Sequence, residues 1–393
     1  MKKNCILVLT HNYIRSKKDY AGLFLHTLFK GLALKGQKII VLAPHQKGLS
    51  FFEIMDGVRI FRFRYAPSFL ENLAYGGEMQ KKVKRNPLNI VLFMLFLCYF
   101  FSRSLELARK KEVDVISCQW WIPGGLVGWL VSFFTKKPFW VTLHGTDLRI
   151  LKSSFAFKPL ARKIFRRAEG ISCVSSFLKD YLVESGLSKE DKIKILPMPV
   201  DARKFKRQKL LKKDKKTLLC VARFTRQKGL EYLISAIRML FDKGFDFETK
   251  IIGGGPQRDY LEKKIKELGL SEKISLLDSM PQENLFSHYQ KSDLFVLPSI
   301  EEGFGLVLVE AQLCGLPVIG TRSGGITDII QDNLTGLLVK PQDPLDLAKA
   351  IEKILSDPGF AEGLAERGYH SAISKFSPET IQKKFMEFIN LDS

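Results

Sequence analysis

Several features that mark particular protein classes are missing from this sequence. The six cysteines stand singly, no two have a CxxC spacing, and most lie in apolar, strand-like runs. This arrangement predicts reduced, buried thiols in a reducing compartment such as the cytoplasm. The N-terminal apolar run is too short for a signal peptide and has no small-residue cleavage site. There is also no D-x-D pair or clear histidine cluster, so we expect no metal cofactor.

Acidic residues are scarce in the first half of the chain. Residues 1–200 hold 33 Lys and Arg against 14 Asp and Glu, so this half carries +19 of the net charge of +21. So one-sided a charge predicts an anionic partner, such as phospholipid headgroups, a pyrophosphate-linked lipid or nucleic acid. Nucleic acid is disfavoured, because the basic residues are spread over helices and loops without an RNA-binding or DNA-reading motif.

One apolar segment raises the question of a membrane. Leu88–Ser102 (LNIVLFMLFLCYFFS) is shorter than the roughly 20 residues that span a bilayer. It is predicted to form a buried helix or an interfacial one, and the basic run KKVKR before it favours the membrane interface. We therefore expect a peripheral protein at the inner face of the membrane, with packing into the core as the open alternative.

The first half alternates strand and helix signals, which is typical of a mainly parallel, doubly wound sheet. Val58–Phe63 alternates apolar and basic side chains, so we expect a half-exposed or edge strand there. A helix is predicted over Tyr20–Leu34. The other predicted strands of this half are Cys5–Thr10, Lys38–Ala43, Val113–Cys118, Phe139–His144 and Gly170–Ser175.

The α/β pattern restarts after the polar, lysine-rich stretch Lys206–Lys216, which we interpret as surface near an interdomain linker. The predicted strands that follow are Thr217–Ala222, Glu248–Ile252, Ile274–Leu277, Leu294–Leu297 and Pro317–Gly320. The predicted helices are Leu230–Lys243, Arg258–Leu268, Gln282–Tyr289, one from about Leu306, and Leu345–Ser356. We therefore expect two Rossmann-like domains with mainly parallel, doubly wound sheets that face each other across a ligand-binding cleft.

The segment after strand Leu294–Leu297 carries the strongest chemical signal. A glycine-rich turn leads into a helix near Leu306, and backbone amides at such a helix start attract phosphate. Glu302 precedes the turn, and Glu310 stands among apolar neighbours, where a carboxylate needs a partner. Arg223 and Lys228 follow another strand end, where both cations can stabilise the charge of a leaving diphosphate.

These segments resemble the retaining glycosyltransferases of group 1 (family four), which have the GT-B architecture of two Rossmann-like domains. Glu302 and Glu310 form an E-x7-E pattern within EEGFGLVLVEAQLCGLPVI. VARFTRQKG at 221–229 resembles the donor-diphosphate segment of the family, and IGGGP at 252–256 resembles its G-x-G-P turn. GTRSGG and NLTG follow in the order seen in the family.

The first half matches the family more loosely. WWIPGGL at 120–126 and VTLHGTDL at 141–148 are similar to acceptor-side strand ends, and PMPVD at 197–201 stands at the usual domain junction. Two positions depart from the family pattern. The turn DYAG keeps a single glycine, Gly22, where two are common, which bears on how the acceptor is positioned. Met198 and Pro199 replace an Asn-Gly pair at the junction.

The resemblance implies a role for each matching residue and a metal-free UDP- or GDP-sugar donor. Glu310 would bind ribose, Glu302 the hydroxyls of the transferred sugar, and the backbone near Phe304 the distal phosphate. The implied donor-binding residues are Arg223, Lys228, Gly253, Gly254, Glu302, Gly303, Phe304, Gly305, Leu306 and Glu310. The implied acceptor-side residues are Gly22, Trp121, His144 and Asp147. The implied catalytic residues are His144, Glu302, Arg223 and Lys228.

The predicted domains are 1–198 on the acceptor side, 199–376 on the donor side, and a terminal helix at 377–393 that packs back on the first domain. The predicted activity is transfer of a hexose-type sugar, with retention, to a glycan or lipid-linked acceptor. Two alternatives within the GT-B class are a soluble acceptor and nucleotide-sugar epimerisation. A non-catalytic basic protein that binds nucleic acid or an anionic surface is the alternative from another class.

Overall fold

A computed structural model describes residues 4–16, 19, 22–75, 79–153, 155–205 and 215–389 of the chain. The chain forms two compact units. Unit 1 is Met1–Pro199 together with Pro378–Ser393, and unit 2 is Val200–Ser377. The stretch interpreted as a linker surface, Lys206–Lys216, lies outside the described residues except at its last two positions.

Unit 1 alternates strands and helices around a mainly parallel sheet, as predicted. Its strands are β1 Cys5–Leu9, β2 Lys38–Pro44, β3 Phe52–Met55, β4 Val58–Phe63, β5 Val115–Gln119, β6 Phe139–Leu143, β7 Gly170–Cys173 and β8 Ile193–Ile195. Its helices before residue 199 are α1 Leu23–Leu34, α2 Met79–Arg85, α3 Pro87–Ala108, α4 Leu126–Thr135, α5 Thr146–Ser153, α6 Lys158–Arg167 and α7 Ser176–Glu184. The predicted start of α1 at Tyr20 lies outside the described residues.

The strand order of this sheet is β3-β4-β2-β1-β5-β6-β7-β8, and every neighbouring pair is parallel except β3 with β4. Parallel neighbours need a crossover connection, usually a helix, and these helices cover both faces of the sheet. The central strand β1 (CILVL) is accordingly apolar throughout, and all its residues are buried.

Val58–Phe63 was predicted to be a half-exposed or edge strand; it is not an edge strand, and its residues are buried or half-buried. β4 pairs with β2 on one side, and the strand that sequence reasoning missed, β3, covers its other side. Basic residues alternate with apolar ones along β4 because its arginines pair with acidic residues of the same unit. The side chain of Arg62 is fully buried and donates a hydrogen bond of 2.6 Å to Oε1 of Glu53.

Unit 2 repeats the architecture with an entirely parallel sheet of order β11-β10-β9-β12-β13-β14. Its strands are β9 Lys216–Val221, β10 Phe247–Ile252, β11 Ile274–Leu277, β12 Leu294–Leu297, β13 Val318–Thr321 and β14 Leu337–Val339. Its helices are α8 Leu230–Asp242, α9 Arg258–Glu267, α10 Gln282–Gln290, α11 Leu306–Leu313, α12 Ile326–Ile329, α13 Pro344–Ser356 and α14 Pro358–Phe376. The sheets of both units therefore confirm the predicted α/β class.

The final helix, α15 Pro378–Phe388, belongs to unit 1. It packs on α1, where the rings of Phe29 and Phe385 meet edge to face at 5.7 Å. Gly31 allows this approach, because a Cβ there would lie 1.7 Å from Nε2 of Gln382. The last segment of the chain thus contributes apolar side chains to the core of unit 1.

Helix α3 is longer than the apolar segment suggested. It has 22 residues and contains an 18-residue window with a mean hydropathy of 1.8, so by length and composition alone it could cross a membrane. The expectation that this segment is too short to span was therefore wrong. One side of the helix is buried through Leu92, Phe96 and Phe100. The prediction of buried cysteines agrees with the structure at five positions and is wrong at Cys98 on α3, which is exposed.

We predict that Phe96→Ala destabilises unit 1 by about 3–5 kcal/mol, because the change leaves a cavity in the core. Phe96 is fully buried, and its ring packs against Phe63 at 4.9 Å and Tyr65 at 5.1 Å. Urea unfolding measures the change in unfolding free energy. Met94→Ala is the matched control on the same helix, because Met94 is 57% exposed, and it should change stability by less than about 0.5 kcal/mol. Equal effects of the two changes would contradict the assignment of Phe96 to the core.

Candidate active site

The predicted donor residues of unit 2 lie in loops that follow neighbouring parallel strands. β9 pairs with β10 and with β12, and β12 pairs with β13. Because all these strands are parallel, the loops after them leave from the same edge of the sheet, which is where ligands bind in this fold class. The loops concerned are 222–229, 253–257, 298–305 and 322–325.

Hydrogen bonds from the loop after β13 fix the loop that holds Glu302. The backbone N–H of Gly325 donates to the carbonyl oxygen of Glu302 at 3.0 Å. The hydroxyl of Ser323 donates to the carbonyl oxygen of Ile300 at 2.6 Å. Since the backbone on both sides of the turn is held, the Glu302 carboxylate has a defined position.

Lys228 and Glu302 form an ion pair in which Nζ and Oε2 are 2.5 Å apart. The two side chains are only 16% and 12% exposed, so each charge offsets the cost of removing the other from water. Their loops are joined at the backbone as well, because the N–H of Ile300 donates to the carbonyl oxygen of Gln227 at 2.7 Å. The structure thus brings a cation and a carboxylate together that are 74 positions apart in the sequence.

Arg223 supplies a second cation at this edge. Its side chain is exposed, and the structure records no ion pair for it within the described ranges. The loop behind it is compact, because Phe224 N–H donates to the carbonyl oxygen of Gly254 at 2.8 Å. A Cβ on Gly253 would lie 1.9 Å from the carbonyl oxygen of Ala222, so only glycine permits this approach. The guanidinium is therefore available to an anion.

Helix α11 begins directly after Gly305, whose left-handed φ of 100° turns the chain into the helix. The first N–H groups of a helix have no acceptor within it, which makes them donors for an anion. Phe304 is buried and packs edge to face on Phe376 at 5.5 Å. Its backbone, rather than its ring, can therefore face a ligand, as the resemblance implies; Gly303 and Leu306 are half-buried beside it.

Glu310 is buried on α11 and has two side-chain partners that sequence reasoning did not identify. Tyr289 donates from its hydroxyl to Oε2 at 2.8 Å, and Gln282 donates from Nε2 to Oε1 at 2.6 Å. Tyr289 is fully buried, and burial together with the neighbouring carboxylate raises its pKa well above the ordinary value. The phenol therefore remains a donor that fixes the Glu310 carboxylate.

In unit 1 the polar side chains of Gln119 and His144 lie together at the ends of two adjacent strands, β5 and β6. His144 follows β6, and its Nε2 lies 2.9 Å from Oε1 of Gln119, the last residue of β5. The Gln119 amide nitrogen donates to Ser117 Oγ at 2.9 Å, so its oxygen faces the histidine and Nε2 carries the proton. Nδ1 of His144 is buried and has no partner among the described residues. Its lone pair therefore makes no hydrogen bond within the described part of the chain.

The Asp147 side chain joins the segments that follow β5 and β6 through hydrogen bonds to their backbone. Its carboxylate accepts the N–H of His144 at 2.6 Å and the N–H of Trp121 at 3.0 Å. Burial nevertheless raises the pKa of Asp147 to about 7, and the backbone donors only partly oppose this effect. Asp147 thus positions the residue His144 and does not touch its imidazole. Trp121 is fully buried, and its indole N–H donates to the Asp147 carbonyl oxygen at 3.3 Å.

An aromatic cluster adjoins His144. The indole of Trp120 contacts two imidazoles, with ring centroids 4.3 Å from His144 and 4.4 Å from His11. Gly22 begins α1 with φ 76°, and a Cβ there would lie 2.8 Å from Cα of Tyr13, so the single glycine of this turn is required. The roles predicted for Gly22, Trp121, His144 and Asp147 toward an acceptor stay predictions.

The geometry predicts that His144 remains neutral, with its proton on Nε2, from pH 8 down to pH 5. Burial lowers its pKa from 6.5 to about 3, so stability gained from the neutral ring is complete above pH 6.5 and is lost as the pH falls toward 3. Nitrogen-15 NMR of histidine-labelled protein distinguishes the two tautomers, and His144→Gln assigns the signal. Gln119→Leu should reduce the preference for the Nε2–H form. Protonation of His144 above pH 5 would contradict the geometry.

Two family models match the chain on either side of residue 204. Residues 201–371 match the model of glycosyl transferases group 1, and residues 21–204 match the model of glycosyltransferase family 4. An uncharacterised glycosyltransferase of Methanocaldococcus jannaschii is 32% identical over 72% of this chain and 77% of its own length. The GDP-mannose-dependent alpha-(1-6)-phosphatidylinositol monomannoside mannosyltransferase of Mycolicibacterium smegmatis is 26% identical over 92% of each chain.

Solved structures share the fold over the full chain. Sucrose-phosphate synthase from Thermosynechococcus elongatus superposes with a TM-score of 0.81 at 22% identity and covers 99% of each chain. The Anabaena protein HepE, in complex with UDP and glucose, gives 0.73 at 18% identity over 99% of this chain and 100% of its own. The similarity in fold agrees with the predicted GT-B class. Together with the sequence matches, it places this chain in glycosyltransferase family 4, the group 1 family of retaining, nucleotide-sugar-dependent hexosyltransferases.

Proposed function

We propose that the protein transfers a hexose from a UDP- or GDP-sugar, without a metal, to a glycan or lipid-linked acceptor at the inner face of the membrane. The observation that carries this proposal is the grouping of Arg223, Lys228, Glu302 and Glu310 at one edge of the unit 2 sheet. HepE was solved with UDP, and the Mycolicibacterium relative depends on GDP-mannose, which supports these two donors.

Arg223 and Lys228 bind the donor diphosphate together with the first N–H groups of α11. Before the donor binds, Lys228 neutralises Glu302, so the site is not a bare cluster of cations. An arriving phosphate shares the ammonium, and the guanidinium of Arg223 offers a bidentate contact. These fixed positive groups stabilise the charge that develops on the leaving diphosphate, which supports a reaction without a metal. In the described ranges no three His, Cys, Asp or Glu are grouped to hold a metal ion.

Glu310 binds the ribose of the donor. A carboxylate accepts hydrogen bonds from two adjacent hydroxyls, and Tyr289 and Gln282 hold this carboxylate in place beforehand. Because the ribose contact is present throughout the reaction, it strengthens binding more than it accelerates the chemical step.

Glu302 binds hydroxyls of the transferred sugar through its carboxylate. For His144, in unit 1, the family resemblance implies a role at the transferred sugar or the reaction centre. The bond between the anomeric carbon and the donor phosphate oxygen breaks while a bond to the acceptor oxygen forms on the same face. The acceptor's proton passes to the leaving phosphate oxygen, which Arg223 and Lys228 stabilise. This path gives retention without a nucleophilic side chain from the enzyme.

The acceptor assignment rests on the basic first half and on the lipid substrate in the name of the Mycolicibacterium relative. A polyanionic membrane or a pyrophosphate-linked lipid is attracted by such a charge. A soluble acceptor and nucleotide-sugar epimerisation remain the competing activities. An epimerase releases free nucleotide without any acceptor, and an enzyme with a soluble acceptor is unaffected by added membranes. Family membership favours these enzymatic functions over a non-catalytic basic binding protein.

The first functional prediction concerns the donor. UDP or GDP, but not ADP, should raise the thermal melting temperature with EDTA present, because a ligand that binds only the folded state stabilises it. Glu310→Ala should lose most of this shift. Glu301→Ala is the matched control, since Glu301 is an exposed carboxylate in the same loop as Glu302. A shift that appears only with added Mg²⁺ or Mn²⁺ would contradict metal-free binding, and an unchanged shift in Glu310→Ala would contradict the ribose assignment.

The second prediction concerns Tyr289 as a positioning residue. Tyr289→Phe should raise KM for the donor about tenfold and leave kcat within about twofold, because a hydrogen bond to a charged group contributes about 1.5–3 kcal/mol. Steady-state kinetics measures the split, and Tyr260→Phe, 46% exposed on α9, is the control. Removing the ribose 2′-hydroxyl from the donor should raise KM by a smaller factor for Tyr289→Phe than for the wild type. An equal increase in KM for both proteins would mean that Tyr289 is only structural.

A further inference from the structure

Unit 1 exposes an apolar surface that the donor and acceptor residues do not use. Six side chains of α3 are 40–57% exposed, and two adjacent phenylalanines at the end of α4 are 74% and 58% exposed. We name this set the α3–α4 face. It consists of Leu88, Ile90, Val91, Met94, Leu95, Tyr99, Phe133 and Phe134. Contiguous exposed apolar surface of this kind marks an interaction site on a soluble domain.

The two helices form one continuous surface. The ring of Phe134 lies 5.8 Å from that of Phe101 on α3 and 5.7 Å from that of Phe133. Lys137, just beyond α4, donates from Nζ to the carbonyl oxygen of Lys110, just beyond α3, at 3.0 Å. The carboxyl-terminal ends of α3 and α4 are therefore fixed side by side.

The packing of α3 excludes a spanning orientation for the folded unit. Its 22 residues correspond to about 33 Å, enough to cross a bilayer. The opposite side of the helix, however, packs on the strand β4 and the residues after it, with Phe100 stacked on Phe63 at 4.7 Å and Phe96 against Tyr65 at 5.1 Å. Insertion across a bilayer would break these contacts, whereas insertion in the plane of the interface keeps them.

The charges around the face complement an anionic surface. No charged residue occurs between Pro87 and Ser102. Exposed cations stand beyond both ends of the face: Arg85, Arg109, Lys110, Lys111 and Lys136. Of the nearby acids, Glu106 pairs with Arg103 and Glu112 pairs with Arg59. A second copy related by a twofold axis would bring like-charged rims together, whereas anionic headgroups match them.

We propose that the α3–α4 face inserts into the headgroup and upper acyl region of an anionic phospholipid surface, with α3 in the membrane plane. Interfacial helices bury their apolar side about 5–10 Å deep, and aromatic residues such as Phe133 and Phe134 favour this boundary. The flanking cations add an attraction that depends on salt and on the charge of the lipid. This role rests on the proposed function, in which the same surface carries a lipid-linked acceptor.

Cys98 provides a reporter on α3 next to this face. It is exposed, and the other five cysteines are buried, so a thiol-reactive NBD dye labels the folded protein at this position. The labelled protein is mixed with vesicles of phosphatidylcholine alone or with 30% phosphatidylglycerol. We expect a blue shift of NBD fluorescence only with the anionic vesicles, and stronger quenching by a spin label near the headgroups than by one at the bilayer centre.

Matched variants separate this face from general stickiness. Met94→Glu with Phe133→Glu should weaken sedimentation with anionic vesicles at least tenfold, without loss of folding, because both side chains are exposed. Leu345→Glu places the same charge at an exposed apolar position on α13 of unit 2 and should bind as the wild type does. Glu310→Ala should also bind vesicles normally, so that a failure of the donor assignment and a failure of this proposal are distinguishable.

Three results would overturn the proposal. Absence of binding to anionic vesicles would exclude a membrane partner. Stronger quenching at the bilayer centre than near the headgroups would exclude the in-plane orientation. A dimer by light scattering that Met94→Glu with Phe133→Glu dissociates, together with no vesicle binding, would assign the face to a second copy of the chain.

Discussion

Parallel pairing of the strands is the constraint on which both candidate sites depend. Each parallel neighbour must be reached by a crossover, so the loops that follow the strands leave from one edge of each sheet. In unit 2 this brings Lys228, after β9, within 2.5 Å of Glu302, after β12. In unit 1 the adjacent strands β5 and β6 end at Gln119 and next to His144, which are hydrogen bonded. The chemistry therefore follows from the topology and not from proximity in the sequence.

Two of the buried carboxylates, Asp147 and Glu310, show how the surroundings of the same chemical group can differ. Asp147 accepts the backbone N–H groups of Trp121 and His144, so it joins the segments that follow β5 and β6. Its burial raises its pKa to about 7. Glu310 instead accepts hydrogen bonds from the side chains of Tyr289 and Gln282. These side-chain donors hold the carboxylate in place on α11, which suits the ribose-binding role proposed for it. At His144 the two kinds of contact are divided between two residues. Asp147 accepts the backbone N–H of His144, whereas the side-chain oxygen of Gln119 sets the tautomer of the imidazole.

Much of the fold could be predicted from the sequence because short apolar runs alternate with amphipathic helices and clear caps. The start of α13 is an example, since the Asp343 side chain accepts the N–H groups of Leu345 and Asp346, the two residues after Pro344. Strand β3 was missed because it has only four residues, and Glu53 interrupts its apolar side chains. Tyr289 was missed for the opposite reason, since a buried aromatic residue on a helix resembles any core residue until its hydroxyl is placed beside a carboxylate. The candidate site residues could be predicted from local motifs, but their supporting partners depend on tertiary contacts.

Helix α3 shows most clearly where hydropathy alone is insufficient. Its apolar segment is followed by Arg103 and Glu106, which suggest an end to the helix, yet the two charges pair one turn apart and the helix continues to Ala108. An apolar character all around a helix is typical both of a buried core helix and of a membrane helix. The structure separates these cases, because Leu92, Phe96 and Phe100 recur every four residues on the side that packs on the sheet. The exposed apolar side chains on the opposite side of α3 are not part of the core of unit 1. Retaining that surface lowers solubility unless another surface covers it, and the basic residues beyond both ends match an anionic membrane.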